Sequence, residues 1–273
     1  MNTNATKVTS VDIAGRMFRH VEGDYRAVVE ATEPGLVAGL GFVDRSAAPD
    51  GAGRWRLLAE EGQSVEAGTP LVEVIGSAAA LGVAEDYVLG PIGFASGIAR
   101  RAAEFKAACP EGMSIACGGW KKLPAALKPL LRAGLAVAGV LPRLVAGDFV
   151  YASKNAVTLL GGVAPAIRAG IEVGHGPVAV QVKNVDEALF AVCAGAGVVM
   201  VDTARLEDLA AVHEALTEAG LRDRITLAFG GGVRLCDLLP ARRAGAQAVD
   251  VGRAILDAPL LDLRMRIIGP AHG

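Results

Sequence analysis

The stretch PVAVQVKNVDEALFAVCAGAGVVMVDTARLEDLAAVHEALTEAGLRDRITLAFGGG, residues 177–232, decides the fold. Three short apolar runs, PVAVQV, GVVMVD and ITLAFGG, are separated by two segments of helical spacing, around Val185 to Ala194 and Leu206 to Ala219. Strands that read as near-continuous Val, Ile and Ala, alternating with helices, describe a parallel sheet covered by helices. Working outward, the same alternation reaches back through DFVYAS and LAVAGVL to MSIACGG at Met113, and forward to AVDVG at 248–252. Further helices are expected around Leu123 to Ala133, Ala156 to Ala169, Val233 to Ala244 and after Arg253. The pattern reads as a barrel over 111–257, complete or open: seven strands rather than eight would leave it an incomplete TIM-like α/β barrel, unless one strand is missed.

Upstream the pattern changes. Residues 25–75 carry short apolar runs bounded by Gly and Pro, the mark of a compact β-rich module, with Gly62 and Gly68 at its turns. The piece EEGQSVEAGTPLVEVIG has the look of a lipoyl-type carrier but contains no lysine for attachment, so a structural module is favoured. An Ala-rich helical layer follows Gly76, broken near Gly90-Pro91 and closed by Pro110. Residues 1–110 therefore read as a β-rich module with a helical layer, and 258–273 as a C-terminal helix or tail returning toward it.

Composition bounds the function. The 273 residues are 52% hydrophobic with mean hydropathy +0.40, enough for a large core. Lys and Arg number 27 against 29 Asp and Glu, a net charge of -2 that predicts no nucleic-acid or membrane partner and leaves a small molecule. The longest uncharged stretch, Ala188 to Val201, is short of the roughly 18 residues of a membrane span. The polar N-terminus lacks a signal-peptide core, so a cytoplasmic location is expected. Cys109, Cys117, Cys193 and Cys236 are widely spaced, which predicts neither a disulfide framework nor a zinc site. His175 and His213 join no cluster, and Cys117 reads as core.

In βα barrels chemistry sits just beyond the carboxyl ends of the strands. Those positions hold Trp120 and Lys121, Arg143, Ser153, Gln181 with Lys183, Asp202, Gly230 to Gly232, and Gly252 with Arg253. The turns FGGGV and VGRAIL follow late strands and open helices, so their backbone N–H groups are expected to bind phosphate; tight turns alone are the bland alternative. Arg143 must find water or an anion. Gln181 and Lys183 alternate with Val180 and Val182 and so share a strand face. Asp202 is a candidate ligand for a cation bridging phosphate oxygens, or an N-cap. Trp120 offers a flat face to a ring.

These residues, in order, resemble the quinolinate phosphoribosyltransferases. The landmarks are GLVAGL at 35–40, EEGQSVEAGTPLVEVIG before a helix with Glu85, FASGIAR, WKKLP, GVLPRL, ASKN, VQVK, VDT, FGGG and VDVG. The resemblance implies transfer of a phosphoribosyl group from phosphoribosyl pyrophosphate (PRPP) to the nitrogen of quinolinate, with magnesium and loss of pyrophosphate and carbon dioxide. It implies an N-terminal α/β sandwich over 1–110 followed by an open, seven-stranded α/β barrel, and a homodimer or larger homo-oligomer; no organic cofactor is expected. Lys121 matches the family's motif lysine and Asp202 its aspartate, both with catalytic roles; Arg143 matches a substrate-binding arginine, and Gly230, Gly231, Gly232 and Gly252 the phosphate turns. Departures accompany these matches: Asp86, Trp120, Pro142 and Ser153 replace an arginine, an arginine, a histidine and a lysine, and Gln181 a metal-associated glutamate. The expected function is therefore transfer to an acceptor other than quinolinate. Two alternatives stay open: a sugar-phosphate lyase or decarboxylase using Lys121, Lys154 or Lys183, and a phosphate-binding pseudoenzyme.

Overall fold

The computed structural model describes residues 10–43 and 53–271. The chain divides into two compact units. One runs to Arg100 and takes in Pro129–Val137 and the chain from Pro259; the other holds Arg101–Lys128 and Ala138–Ala258. The division between Arg100 and Arg101 falls inside a helix that both units share.

The first unit begins with helix α1 (Ser10–Met17), strand β1 (Asp24–Ala31), the short β2 (Gly35–Leu36), β3 (Gly53–Leu57), the short β4 (Ser64–Val65), β5 (Pro70–Ser77) and the long helix α2 (Ala78–Ala107). Gly62 and Gly68, at φ 83° and 86°, turn the chain into and out of β4, where a side chain would be strained. Its main sheet has the order β12-β1-β5-β3, every pairing antiparallel. The strand β12 (Leu263–Pro270) is the C-terminal segment, expected as helix or tail. Its sequence LRMRIIGP alternates apolar and arginine residues, and period-two alternation makes a half-buried strand rather than a helix.

One face of this sheet packs Ala27, Val29, Val72 and Val74 against Leu81, Ala84, Val88 and Ile92 of α2. That apolar stripe continues through Ala95 and Ile98 at helical spacing, so α2 is not broken at Pro91, which lies inside it. Burial along the whole face outweighs the roughly 3 kcal/mol that an interior proline costs a helix.

The second unit carries β6 (Ser114–Ala116), helix α3 (Lys128–Val137, mostly in the first unit), β7 (Val150–Ala152), α4 (Lys154–Leu159), α5 (Val163–Val173), β8 (Val178–Val182), α6 (Val185–Cys193), β9 (Val198–Val201), α7 (Leu206–Glu218), β10 (Thr226–Phe229), α8 (Leu238–Arg243), β11 (Ala248–Asp250) and α9 (Arg253–Leu256). Six strands form one parallel sheet in the order β6-β11-β10-β9-β8-β7, curled as a half barrel. The seventh expected strand, LAVAGVL, is split: α3 runs to Val137, and beyond Gly139 at φ 64° only Leu141 pairs, bridging Ala116 in parallel. The helix expected over 156–169 is likewise two, parted by Gly161 and Gly162 at φ 80° and 137°.

Alternation along the strands positions everything that follows. Ala179, Met200, Ala228 and Ala248 form an inner layer with Phe149. Two residues further on, each strand therefore presents its next inward group, namely Gln181, Asp202, Gly230, Asp250 and Tyr151. A ring of polar groups caps the apolar layer.

Candidate functional site

The polar ring is hydrogen-bonded in one sector and open in another. Gln181, only 7% exposed, donates from Nε2 to Asp202 Oδ2 at 2.7 Å and accepts the Lys154 N–H on Oε1 at 2.9 Å. Lys154 Nζ reaches the same Asp202 Oδ2 at 3.0 Å and donates to the Asp202 carbonyl at 2.8 Å. Lys154 sits one residue past Ser153, whose hydroxyl caps α4 by accepting the Ala156 N–H at 3.3 Å. Three strand ends are thereby tied through a single carboxylate. Lys154 Nζ, tied to both the Asp202 carboxylate and its carbonyl, is poorly placed to serve as a Schiff-base amine.

In the open sector, a cavity of about 270 Å³ is lined by Trp120, Lys121, Arg143, Tyr151, Ser153 and Asp250, among others. That size suits a single-ring molecule, being just below the usual range of about 300–1,000 Å³ for ligand pockets. Because it joins Tyr151 of β7 with Asp250 of β11 and with Gly118, Trp120 and Lys121 in the turn after β6, strands toward opposite ends of the strand order, it reports the curl of the sheet. The Arg143 guanidinium lies 4.3 Å from the Phe149 ring centre, and Lys128 Nζ lies 4.9 Å from the Trp120 ring centre. Such cation–π contacts hold a charge in place without neutralising it.

Asp250 ends β11 and accepts the Gly118 N–H on Oδ1 at 2.6 Å. Position 118 must be glycine, because a Cβ there would collide with the Asp250 carboxylate. Burial, and then the charge of Asp202, push the Asp250 carboxyl above its ordinary range, against the Gly118 N–H and the charges of Lys121 and Lys122. Burial also pushes the Tyr151 hydroxyl up, keeping it protonated. Cys117, buried, has its thiol raised to about 11 by burial, which leaves it unreactive and confirms its place in the core.

The glycine turns differ from one another. Gly230 is buried, and a Cβ there would meet Met200 and approach Asp202 Oδ1 at 3.3 Å, so it is needed for packing. Gly231 and Gly232, at φ 101° and 107°, are exposed, and with Gly252 their N–H groups have no hydrogen-bond partner among the described residues. The helices behind them are shorter than expected. Chain after Gly232 enters a single 3-10 turn at Leu235–Asp237 and then the six-residue α8, while α9 has four residues. An anion here would be held by the N–H groups themselves, with little from a helix dipole.

Two expected residues stay outside this group. Lys183 lies one residue beyond β8 and is exposed, its N–H donating to Glu187 Oε2 at 2.8 Å in the first turn of α6. Arg253 is exposed and paired with Asp257 Oδ2 at 2.8 Å.

Residues 98–266 match the family model for the quinolinate phosphoribosyl transferase C-terminal domain, and residues 12–96 the one for its N-terminal domain. The chain belongs to the quinolinate phosphoribosyltransferase family. The human nicotinate-nucleotide pyrophosphorylase (carboxylating) is 28% identical over 251 residues, covering 90% of this chain and 83% of its own length. The rat protein of the same name is 28% identical over 246 residues, covering 89% and 81%. The solved nicotinate-nucleotide pyrophosphorylase of Francisella tularensis superposes with a TM-score of 0.76 at 20% identity, covering 97% of this chain and all of that one. The fold expected from the sequence is thus that of the family, and its enzymes are phosphoribosyltransferases.

Family membership raises the question of magnesium. Among the described residues no group of three or more His, Cys, Asp or Glu could hold a metal. Asp202 Oδ2 is already taken by Lys154 and Gln181. Magnesium at such sites is bound by one or two carboxylates plus substrate phosphates, so Asp202 fits it only as a ligand to a phosphate-bound ion. Of the residues in this candidate site, Asp250 and Tyr151 are not singled out by motif reading. The signal was available: each stands two residues beyond an inward-facing apolar residue, Ala248 or Phe149.

Proposed function

We propose that the protein transfers a phosphoribosyl group from PRPP to the ring nitrogen of a heteroaromatic acceptor with one acidic group, not to quinolinate. The observation that carries this reading is the charge of the cavity, where the cations Lys121 and Arg143 share the lining with the acid Asp250. A dicarboxylate needs two bidentate or paired cationic partners, and each charged hydrogen bond contributes about 1.5–3 kcal/mol. Here one of its two carboxylates would face Asp250.

The residues divide the work. Gly231, Gly232 and Gly252 offer N–H groups to the 5-phosphate, as the family match supports. Lys121 and Arg143 hold the acceptor's acid group, and Trp120, beside them, supplies an aromatic face. The acceptor nitrogen forms its bond to the anomeric carbon as the bond to pyrophosphate breaks, the leaving group taking the electron pair. Asp202, held by Gln181 and Lys154, places negative charge where positive charge develops at the sugar. Magnesium, brought on the pyrophosphate, would neutralise the leaving group. The magnesium, the dimer expected for the family and the cytoplasmic location belong to this proposal as well.

Pyrophosphate release from PRPP, measured with pyridine monocarboxylates and dicarboxylates in parallel, tests the reading. Release with a monocarboxylate and little with quinolinate is expected; release with quinolinate alone would overturn it.

A further inference from the structure

We propose that Asp250 is the residue that selects the acceptor, taking a hydrogen bond from an amino or amide N–H on a ring with a single acid group and turning dicarboxylates away. This rests on reading the site as that of a phosphoribosyltransferase, and it adds to that reading the group on the acceptor that the protein recognises.

The geometry gives Asp250 one fixed oxygen and one free one. Oδ1 is held by the Gly118 N–H at 2.6 Å, while Oδ2 has no hydrogen-bond partner among the described residues. The contrast with Asp202 is direct, since that carboxylate has its Oδ2 filled by both Lys154 and Gln181. Asp250 is also among the residues that line the 270 Å³ cavity, together with Lys121 and Arg143. A Cβ at position 118 would collide with both carboxylate oxygens, so it is glycine there that makes room for Asp250 in this place. A carboxylate accepts hydrogen bonds and donates none. Its complement in a ligand is therefore an N–H or O–H, and a second carboxylate in that place meets a like charge in a partly desolvated site. Lys121 and Arg143 supply the complement of one acid group. A ring satisfying all three carries one carboxylate and one donor.

The size of the effect follows from the hydrogen bond. A hydrogen bond to a charged acceptor changes affinity by about 10- to 100-fold. The variants Asp250→Asn and Asp250→Ser both remove the charge, and Asn retains an oxygen for the Gly118 N–H, so thermal unfolding confirms that the variants fold. Calorimetry would then measure Kd for pyridine-3-carboxylate, 2- and 6-aminopyridine-3-carboxylate and pyridine-2,3-dicarboxylate, with PRPP measured alongside. Each ratio is taken within one protein, so a general weakening cancels. Wild-type protein is expected to bind at least one aminated acid about 10-fold or more tighter than the plain acid. Both variants are expected to lose that ratio and to gain on the dicarboxylate relative to the monocarboxylate. A ratio near one in the wild type, or one that both variants retain, overturns the role of Asp250. A wild-type protein that takes up no PRPP overturns the transferase reading itself, so the two failures are told apart.

Discussion

Two sets of acids in this molecule sit on sheets and are shielded from water, yet their surroundings are opposite. On the outer face of the four-stranded sheet, Glu73 is paired with Arg26 at 2.6 Å and Arg56 at 3.1 Å, and Glu30 with Arg264 at 2.7 Å and Arg266 at 3.3 Å. Each carboxylate has two guanidinium partners from neighbouring strands. At the strand ends of the half barrel, Asp250 has one backbone N–H and a carboxyl pushed upward by burial. Arginines hold Glu30 below the usual carboxylate range instead. Satisfied acids stitch strands together; an acid left half-satisfied at a cavity is where a ligand can supply the missing partner.

The difference is open to test from both sides. The largest effect is expected at the glycine turns proposed to hold the phosphate. Gly231 is a poor target, because at φ 101° any side chain is strained and would press on the Ala204 backbone. Gly252, at φ −87°, has its nearest neighbours at 3.8 Å from a Cβ. Gly252→Asp should lower PRPP affinity by about 100-fold or more, through lost N–H contacts and like charge; calorimetry on a folded variant that still bound PRPP normally would remove these turns from the site.

Next comes the acceptor side. Arg143→Ala should weaken the binding of a pyridine monocarboxylate by about 10- to 100-fold while leaving the melting temperature nearly unchanged, since Arg143 is exposed. An equal loss of stability would mean that its stacking on Phe149 is structural.

The sheet acids should behave the other way. Glu73→Ala leaves Arg26 and Arg56 facing each other without their shared partner, and should lower the melting temperature by about 2–4 °C per kcal/mol lost. Binding of PRPP should not change. For Glu30, whose folded pKa is depressed, the stability it contributes is present above its unfolded pKa and is lost as pH falls through the folded value. Unfolding of Glu30→Gln should accordingly be less acid-sensitive than that of the wild type.

Of the stability effects, that of Asp250→Asn is expected to be the smallest, a slight rise in melting temperature at neutral pH. Its folded pKa is raised, so protonation favours the native state. The cost of the charged form is fully present at pH above the folded pKa and disappears as pH falls below it. The stabilising effect of the variant should fade in acid. A variant less stable than wild type at neutral pH would place Asp250 with the structural acids, and erase the comparison.

Much of this arrangement was legible in the sequence, and the illegible parts share a cause. Strands β8 to β10 are buried on both faces, so their apolar runs stood out. Lys121, Arg143, Gln181 and Asp202 stand out as candidates because polar residues at or beyond the ends of such runs are conspicuous. Asp250 was hidden inside VDVG, where it looked like part of a turn; its significance depends on Gly118, 132 positions away. The Lys154 to Asp202 pair is likewise a matter of curl, which sequence spacing does not encode. The strand β12 was missed although LRMRIIGP alternates, because a strand that completes a sheet begun near the N-terminus has no local partner.

The proposed function stands or falls on whether this half barrel takes the phosphoribosyl donor and refuses the dicarboxylate. Steady-state kcat/KM for quinolinate, at saturating PRPP and magnesium, measured beside the best monocarboxylate, tests it most directly. Loss of two or more charged contacts predicts a value about 100-fold or more below that of the monocarboxylate. Turnover of quinolinate equal to or above that of every monocarboxylate would contradict the account.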